Sequence, residues 1–378
     1  MKHIGHIKQV KQFLRVLKLS NYKKYVYIFS LLFLFSIGFH LTVWNVISKK
    51  VLLTDKQIYR GDLGRTSFKV DSINSRPSYL VKEARNLPKK HIVYKDLKPR
   101  ETVDVITIGD SFANAATQGI NPYFQDYIAT YNDFKVLNIL PHFGNFIETI
   151  AVFYNSGLLD ELSPKAIVIE SVERFCIPRF ISKLDLSKNI DKSRLKKILA
   201  KGINFYQTKD PYISFINSQN FRAASFNIQR VYNNYGNYKF AILSPMKRDY
   251  FSTKDSNTLL FHREDIENNY LITNENIQSL NNNFNKLANK LKNKGIKLYF
   301  MPAVDKYNLY EPYIENNSYP KSQFFEILRG LPKEYELIDT KAILSQELKK
   351  GVKDLYYADD THWSYKASEA IFKKVKFE

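Results

Sequence analysis

The residues best suited to chemistry lie in two short segments near opposite ends of a 378-residue chain. The first is Gly109-Asp110-Ser111-Phe112, which follows a largely β-branched, apolar run that predicts a strand over 103–108. The second is Asp359-Asp360-Thr361-His362. A serine hydroxyl becomes a nucleophile when a histidine removes its proton, and a carboxylate can orient that histidine. The two segments therefore predict a serine nucleophile, a histidine base and an aspartate partner.

Each segment also has a simpler interpretation. Ser111 is expected at a strand-to-helix turn before a helix beginning at 112–116, where backbone N–H groups and the helix dipole favour an oxyanion. The same serine would equally suit a helix cap or a plain turn. The aspartates and His362 would equally suit the capped start of the last helix, with His362 on the surface and Ser364 or an aspartate as the cap.

Together the two segments resemble the SGNH/GDSL hydrolase superfamily, within it the branch of alginate and cell-wall polysaccharide O-acetyltransferases. Two further stretches are similar to that branch. Residues 164–174 look like its strand that ends in a Glu-x-x-Glu-Arg turn, and residues 301–307 look like its turn with a proline and a lysine. The resemblance covers roughly residues 100–378 and is strong only in these four blocks.

The resemblance implies that Ser111 is the nucleophile and His362 the base. The wider superfamily places its aspartate three residues before the histidine, which selects Asp359. The acetyltransferase branch has Asp-x-His, which selects Asp360, and we favour Asp360. The Gly-x-Asn-Asp block of the wider superfamily is absent, so its oxyanion donors do not carry over in full.

Five more residues are candidates for the oxyanion or substrate site. Gly144 and Asn145 form a turn that would supply an oxyanion donor or be an ordinary glycine turn. Glu173 and Arg174 would form an ion pair that braces the site or would be solvated. Lys306 joins this set through the resemblance of its block.

Alternating elements predict the fold class. Strands are expected over 136–140, 166–170, 296–300 and 336–339, and helices over 146–162, 277–291 and 367–375. Strand and helix in alternation favour a mostly parallel sheet with helices on both faces, a three-layer α/β sandwich that is SGNH-hydrolase-like by resemblance. Ligands bind such sheets at the carboxyl ends of the strands, where Ser111 and Glu170 would lie.

The alternation stops over about 177–270, which we interpret as an insertion. Residues 183–201 hold seven basic residues and two aspartates, and a stretch rich in tyrosine, phenylalanine and asparagine follows. Basic groups and aromatic rings over the active-site face would suit an anionic glycan. The alternative is a helical subdomain with a solvated basic face.

The N-terminal quarter predicts a membrane anchor. Residues 1–24 form a basic amphipathic segment, and residues 25–48 contain no charge and are long enough to span a bilayer. A cleaved signal peptide is the alternative. The basic residues before the span predict a cytoplasmic N-terminus. Residues 49–100 then form a stalk and the start of the domain, and residues 101–378 form the extracytoplasmic catalytic domain.

The charge and the composition indicate which classes of partner and cofactor to expect. The net charge is +20, and the first 24 residues carry seven basic residues and no acid, which leaves 20 − 7, or +13, on the rest. That excess suits an anionic partner such as an acidic glycan, and no nucleic-acid motif is present. The single cysteine, Cys176, excludes an internal disulfide. The histidines show no metal-ligand spacing and there is no glycine-rich phosphate loop, so we expect no metal and no cofactor.

These features predict a membrane-anchored extracytoplasmic O-acyltransferase, an O-acetyltransferase in the first instance, that modifies hydroxyls of a cell-surface polysaccharide through a serine acyl-enzyme. The resemblance implies a polytopic membrane-bound acyltransferase as the source of acyl groups. One alternative is a membrane-anchored carbohydrate esterase with the same triad. Another is a non-catalytic glycan-binding or assembly protein on the same fold.

Overall fold

The computed structural model describes residues 21–43, 62–63, 86–114, 121–141, 145–201, 241–252, 256–358 and 360–377. Several predicted features lie outside these residues. They are the first 20 residues of the basic segment, residues 44–48 of the predicted span, most of the stalk, residues 115 and 116, Gly144, Asp359 and residues 202–240 of the insertion.

Helix α1, Asn21–Val43, is the apolar helix near the N-terminus. Its segment Tyr22–Thr42 has 21 residues and a mean hydropathy of 1.7. At about 1.5 Å per residue it is roughly 31 Å long, close to the thickness of a hydrocarbon core. Its large apolar side chains are exposed, Phe29 to 70% and Phe35 to 71%. The helix is therefore long and apolar enough to cross a membrane.

A six-stranded sheet, in which every neighbouring pair is parallel, organises the α/β part of the chain. The strands are β1 Ile92–Val93, β2 Val105–Ile108, β3 Val136–Ile139, β4 Ala166–Val172, β7 Lys297–Ala303 and β8 Glu336–Leu337. Their order in the sheet is β1-β3-β2-β4-β7-β8. Every residue of β2, β3 and β4 is buried. Strands covered on both faces are largely apolar throughout, which is why the sequence shows runs instead of alternation. The predicted α/β class and parallel sheet are confirmed.

A separate antiparallel pair joins β5, Ala241–Pro245, to β6, Thr258–His262. The other helices are α2 Phe124–Asn132, α3 Phe146–Asn155, α4 Leu158–Leu162, α5 Glu173–Phe180, α6 Lys192–Lys201, α7 Glu264–Glu267, α8 Asn274–Lys292, α9 Lys306–Tyr310, α10 Phe324–Gly330, α11 Thr340–Lys349 and α12 Tyr365–Lys374. Short 3₁₀ turns cover Tyr94–Asp96, Asn268–Leu271 and Glu311–Tyr313.

Helix α8 shows how one apolar stripe docks a helix on the sheet. Its inward residues recur at helical spacing and are completely buried: Ile277, Leu280, Phe284, Leu287 and Leu291. Phe284 stacks on Phe300 of β7 with ring centroids 4.0 Å apart. Such pairs bury a large apolar area and add about 0.5–1.5 kcal/mol beyond it. The predicted stripe over 277–291 is confirmed.

One local prediction was wrong, and another is only partly covered by the described residues. The helix expected over 146–162 is two helices, α3 and α4, because the chain turns at Gly157 with a left-handed φ of 74°. The helix expected to begin at 112–116 is only partly covered. Residues 111–114 form a turn closed by a hydrogen bond from the Ala113 N–H to the Asp110 carbonyl, 3.1 Å, and residues 115 and 116 lie outside the described residues.

Candidate active site

Three strands at the centre of the sheet deliver polar side chains to one edge. β4 pairs in parallel with β2 on one side and with β7 on the other. Because parallel strands share a direction, the segments that follow them meet at the carboxyl edge. Those segments carry Ser111 after β2, Glu173 after β4 and Lys306 after β7.

Ser111, His362 and Asp360 form a continuous hydrogen-bonded chain. The Ser111 Oγ lies 2.7 Å from the His362 Nε2, across 251 positions of sequence. The His362 Nδ1 lies 2.6 Å from the Asp360 Oδ1, which also accepts the His362 backbone N–H at 3.0 Å. A carboxylate only accepts, so Nδ1 carries the ring proton and Nε2 is free to accept the serine proton. This is the geometry of an activated nucleophile.

The protonation of His362 is set by opposing effects. Burial lowers the pKa of His362, since only 4% of the residue is exposed, but the Asp360 carboxylate and its hydrogen bond raise it. A second carboxylate, Asp62, also raises the pKa, while the charge of Arg174 lowers it. The net pKa lies above the ordinary value of 6.5. The ring is therefore a stronger base than an isolated histidine.

Lys306 fixes the loop that carries the histidine. Its Nζ donates to three backbone carbonyls, those of Tyr357 at 2.7 Å, Ala358 at 2.9 Å and Asp360 at 3.1 Å. The lysine is completely buried, and its Nζ lies 5.1 Å from the centre of the Phe251 ring. Lys306 thus holds backbone, and nothing in this geometry gives it a substrate contact.

Aromatic packing and a helix cap complete the support of His362. The Phe112 ring lies 4.6 Å from the His362 ring and 4.7 Å from Trp363, centroid to centroid. Ser364 caps α12 by accepting the Lys366 N–H at 3.1 Å. The capped-helix interpretation is therefore right for Ser364, but its surface position for His362 is wrong.

The turn before Ser111 is held by Asp110 and by a buried acid beneath it. The Asp110 carboxylate accepts the Phe112 N–H at 3.2 Å and the Val172 N–H at 2.9 Å, and it also pairs with Arg179. Burial opposes ionisation, but Arg179 and these donors lower the pKa of Asp110. Glu170 accepts the Asp110 N–H at 3.0 Å, and burial together with the charge of Asp110 raises its pKa. One negative charge, on Asp110, therefore supports the turn.

The Asn145 side chain takes part in two structural hydrogen bonds. Its Oδ1 accepts the Ile147 N–H at 2.9 Å as the cap of α3, and its Nδ2 donates to the Arg179 carbonyl at 2.5 Å. One of the two amide N–H groups is therefore already used in structure, and the oxyanion role of Asn145 stays a prediction. Among the described stretches the Ser111 backbone N–H forms no hydrogen bond, which leaves it as a donor beside the nucleophile.

Glu173 and Arg174 belong to a buried polar network with separate partners. Glu173 accepts the Asp305 N–H at 2.9 Å and the Asn308 amide at 2.6 Å. Arg174 pairs with Asp305 at 2.6 Å and with Asp265 at 3.3 Å. Burial and the charge of Asp305 raise the pKa of Glu173 to about 7. Both side chains are buried, so the solvated interpretation is wrong, and Arg174 pairs with two aspartates in place of Glu173.

Four supporting residues were not predicted. Asp305 lies inside the 301–307 block, so its position beside Lys306 was a usable signal. Arg179, Asp265 and Asp62 follow no local pattern that separates them from other charged residues. They act at this edge only because distant segments meet there.

Asp62, Asp360 and His362 are the group, within the described stretches, whose geometry would also suit a cation. Their ligand atoms lie within 4.8 Å of one another. Hydrogen bonds already account for this proximity, because the His362 Nδ1 faces Asp360 and the Asp62 carboxylate accepts from Thr361. Because the His362 Nδ1 carries the proton of its hydrogen bond to Asp360 and Nε2 faces Ser111, the ring has no free lone pair for a cation in this arrangement.

No protein-family model matches this chain, and no curated protein matches its sequence. Inference about function therefore depends on the residues themselves and on their geometry.

Proposed function

We propose that this chain is a membrane-anchored serine O-acyltransferase that acts outside the cytoplasm on hydroxyl groups of a surface polysaccharide. Its fold would be the three-layer, SGNH-hydrolase-like form of the α/β class. The observation that carries the proposal is the hydrogen-bonded chain from Ser111 Oγ to His362 Nε2, 2.7 Å, and from His362 Nδ1 to Asp360, 2.6 Å. The resemblance of the four sequence blocks adds the acetyltransferase branch.

The chemistry follows from that chain in two balanced steps. His362 takes the proton of Ser111 while the serine oxygen attacks the donor's acyl carbon, and the donor's oxygen leaves with that proton. In the second step His362 takes a proton from a sugar hydroxyl, which attacks the acyl-serine. Ser111 leaves and recovers a proton from His362. Asp360 stabilises the imidazolium in both steps.

The tetrahedral intermediate of each step needs donors for its oxyanion. The backbone N–H of Ser111 is suited to this role because it has no acceptor among the described residues. Donors of this kind typically contribute about 3–4 kcal/mol to transition-state stabilisation.

The anchor and the charge support the location and the partners. α1 is long and apolar enough to span a bilayer, and seven basic residues in the first 24 favour a cytoplasmic N-terminus. A domain outside the cytoplasm would draw acyl groups from a polytopic membrane acyltransferase. The net charge of 20 − 7, or +13, on the chain after its first 24 residues supports an anionic acceptor.

The test supplies an acyl donor and an acceptor to the full-length chain in detergent. p-Nitrophenyl acetate is the donor, and an acidic or a neutral oligosaccharide is the acceptor. Release of p-nitrophenolate reports acylation, and mass spectrometry of the sugar reports transfer. Ser111→Ala should abolish both signals. Ser187→Ala, which changes an exposed serine of another loop, is the matched control and should retain them.

Each outcome has one meaning. Ser111-dependent acetylated sugar above the uncatalysed background supports transfer. Ser111-dependent nitrophenolate release with no acetylated sugar contradicts transfer and favours the esterase. An unchanged signal in Ser111→Ala contradicts both catalytic functions and favours the glycan-binding alternative.

A further inference from the structure

An acid from outside the sequence blocks reaches the histidine loop. Asp62 belongs to the segment between α1 and β1, 299 positions before Thr361. Its Oδ1 accepts the Thr361 backbone N–H at 2.7 Å, and its Oδ2 accepts the Thr361 hydroxyl at 2.5 Å. Because both carboxylate oxygens bind one residue, the contact fixes the orientation of the carboxylate as well as its position.

Thr361 lies in the sequence between Asp360 and His362, whose side chains must be aligned. Asp360 precedes it and His362 follows it, so its backbone sets the angle between carboxylate and ring. The same Asp62 oxygen that accepts the threonine hydroxyl lies 3.7 Å from the His362 Nδ1. The ring nitrogen thus has two carboxylates beside it, one in a 2.6 Å hydrogen bond and one at a longer electrostatic distance.

We propose that Asp62 is a positioning residue of the Ser111–His362–Asp360 site, which clamps Thr361 and places a second negative charge beside the histidine ring. This inference rests on the proposed function, because it assigns a role in the same site. The site would then include a residue, Asp62, that lies 299 positions before Thr361 in the sequence.

The charged surroundings agree with this role. The charge of His362 and the Thr361 donors lower the pKa of Asp62 to about 2, so it is an anion at neutral pH. The other groups that act on His362 are Asp360 on the same loop, which raises its pKa, and Arg174 of α5, which lowers it. His262 at the end of β6 also experiences the charge of Asp62. Asp62 is 45% exposed at its side chain, whereas that of Asp360 is 3% exposed. Solvent therefore screens Asp62 more strongly.

The test uses the full-length chain in detergent with two readouts. Carbon-13 labelled histidine lets NMR follow the titration of His362, assigned by the signal lost in His362→Gln. Diethyl p-nitrophenyl phosphate, which phosphorylates an activated serine, reports the reactivity of Ser111 against pH. The variants are Asp62→Asn and, as the matched control, Asp96→Asn, which changes an exposed aspartate on the 3₁₀ turn after β1.

We expect Asp62→Asn to lower the pKa of His362 and to slow phosphorylation of Ser111 about tenfold at neutral pH, the value of one lost hydrogen bond to a charged group. The acid limb of the rate profile should move to lower pH. Asp96→Asn should match the wild-type chain in both readouts. An unchanged titration of His362 in Asp62→Asn would overturn the proposal, whatever happens to the rate.

A second pair of variants separates the clamp from the charge and protects the test against misfolding. Thr361→Val removes the hydroxyl donor but keeps the backbone N–H, and Thr361→Ser restores the hydroxyl. Serine should recover the phosphorylation rate that valine loses. Asp62→Asn and Thr361→Val remove the same hydrogen bond. The loss of phosphorylation rate in the double variant should therefore not exceed the loss obtained by adding the two single effects as free energies. Equal rates for valine and serine would contradict the clamp.

Failure of the proposed function looks different from failure of this inference. If the phosphorylating reagent does not modify Ser111 in the wild-type chain, the catalytic proposal fails. The titration of His362 still tests whether Asp62 acts on the ring, because NMR requires no turnover.

Discussion

The protonation state of His362 decides when Ser111 can act as a nucleophile. The ring must be neutral to accept the serine proton. Burial lowers its pKa, but Asp360 and Asp62 raise it beyond the opposing effect of Arg174 to a value above 6.5. A base with a raised pKa is protonated over a wider acidic range, so activity should be lost as pH falls through that value.

We therefore expect the rate of p-nitrophenyl acetate hydrolysis to rise with pH along a limb whose midpoint lies above 6.5. Asp360→Asn should lower that midpoint and reduce the rate by roughly 10³-fold or more, because the ring loses its orienting carboxylate. Stopped-flow rates from pH 5 to 9 provide the measurement. A wild-type midpoint below 6.5 would show that the two carboxylates do not control the ring.

The absence of a side chain at Gly109 is a second feature that matters at the residue scale. A Cβ on Gly109 would lie 2.3 Å from the Glu170 Oε2 and 2.8 Å from the Ala113 Cβ. Glu170 is completely buried in β4 and cannot swing away into solvent. We expect Gly109→Ala to lower the free energy of unfolding by about 1–3 kcal/mol and to displace Ser111.

Urea unfolding and nitrophenyl acetate hydrolysis measure both effects. Gly330→Ala is the matched control, since nothing lies within 4 Å of a Cβ at that position. It should keep the activity and be as stable as the wild-type chain or slightly more so. If Gly109→Ala behaved like Gly330→Ala, the close approach of Glu170 to the turn would be refuted.

At the scale of elements, the site depends on how the loop before α12 is attached to the segment after β7. Lys306, at the start of α9, joins the two through three carbonyls. A buried carbonyl that loses its donor carries a desolvation penalty of about 1–3 kcal/mol. The lysine therefore stabilises the fold and the alignment of His362 together.

Lys306→Met keeps the length and apolar stem of the side chain but removes the donor. We expect a loss of about 2–3 kcal/mol in unfolding free energy and a decrease in kcat of more than tenfold, with a smaller change in KM. Lys297→Met, at the exposed start of β7, serves as the control and should leave both unchanged. A kcat equal to that of the wild-type chain would argue that the loop does not need this attachment.

At the scale of the whole molecule, α1 predicts association with membranes. Its apolar residues are exposed all around the helix, which is favourable in lipid and unfavourable in water. Leu31→Arg combined with Leu34→Arg places two charges near the middle of the span. Each costs about 2.5–3.5 kcal/mol on insertion.

We expect the doubly substituted chain to leave the carbonate-washed membrane fraction, and Leu31→Ala with Leu34→Ala to remain in it. Quantitative immunoblotting of both fractions is sufficient. Retention of the arginine variant to the same extent as the alanine variant would show that another part of the chain holds it at the membrane.

The sequence by itself determined the features that depend on neighbouring residues. Runs of apolar β-branched residues predicted the parallel strands, and the i, i+3, i+4 stripe of α8 predicted a docked helix, because burial leaves a local pattern. The length and hydropathy of α1 are likewise local properties. Ser111 and His362 were recognisable because each lies in a short block of chemically suited residues. The break at Gly157 was not foreseen, because the apolar stripe continues through it.

The tertiary structure decided which distant groups share one site. It brought Ser111 within 2.7 Å of His362 and aligned Asp360 with the ring. It also gave Lys306 three carbonyls to hold and brought Asp62 to Thr361 across 299 positions. Such contacts leave no local signature, since a charged residue looks the same in sequence whether it meets solvent or a partner. Only the assembly of the parallel sheet, which brings several chain segments to one edge, determines which charged residues join the site.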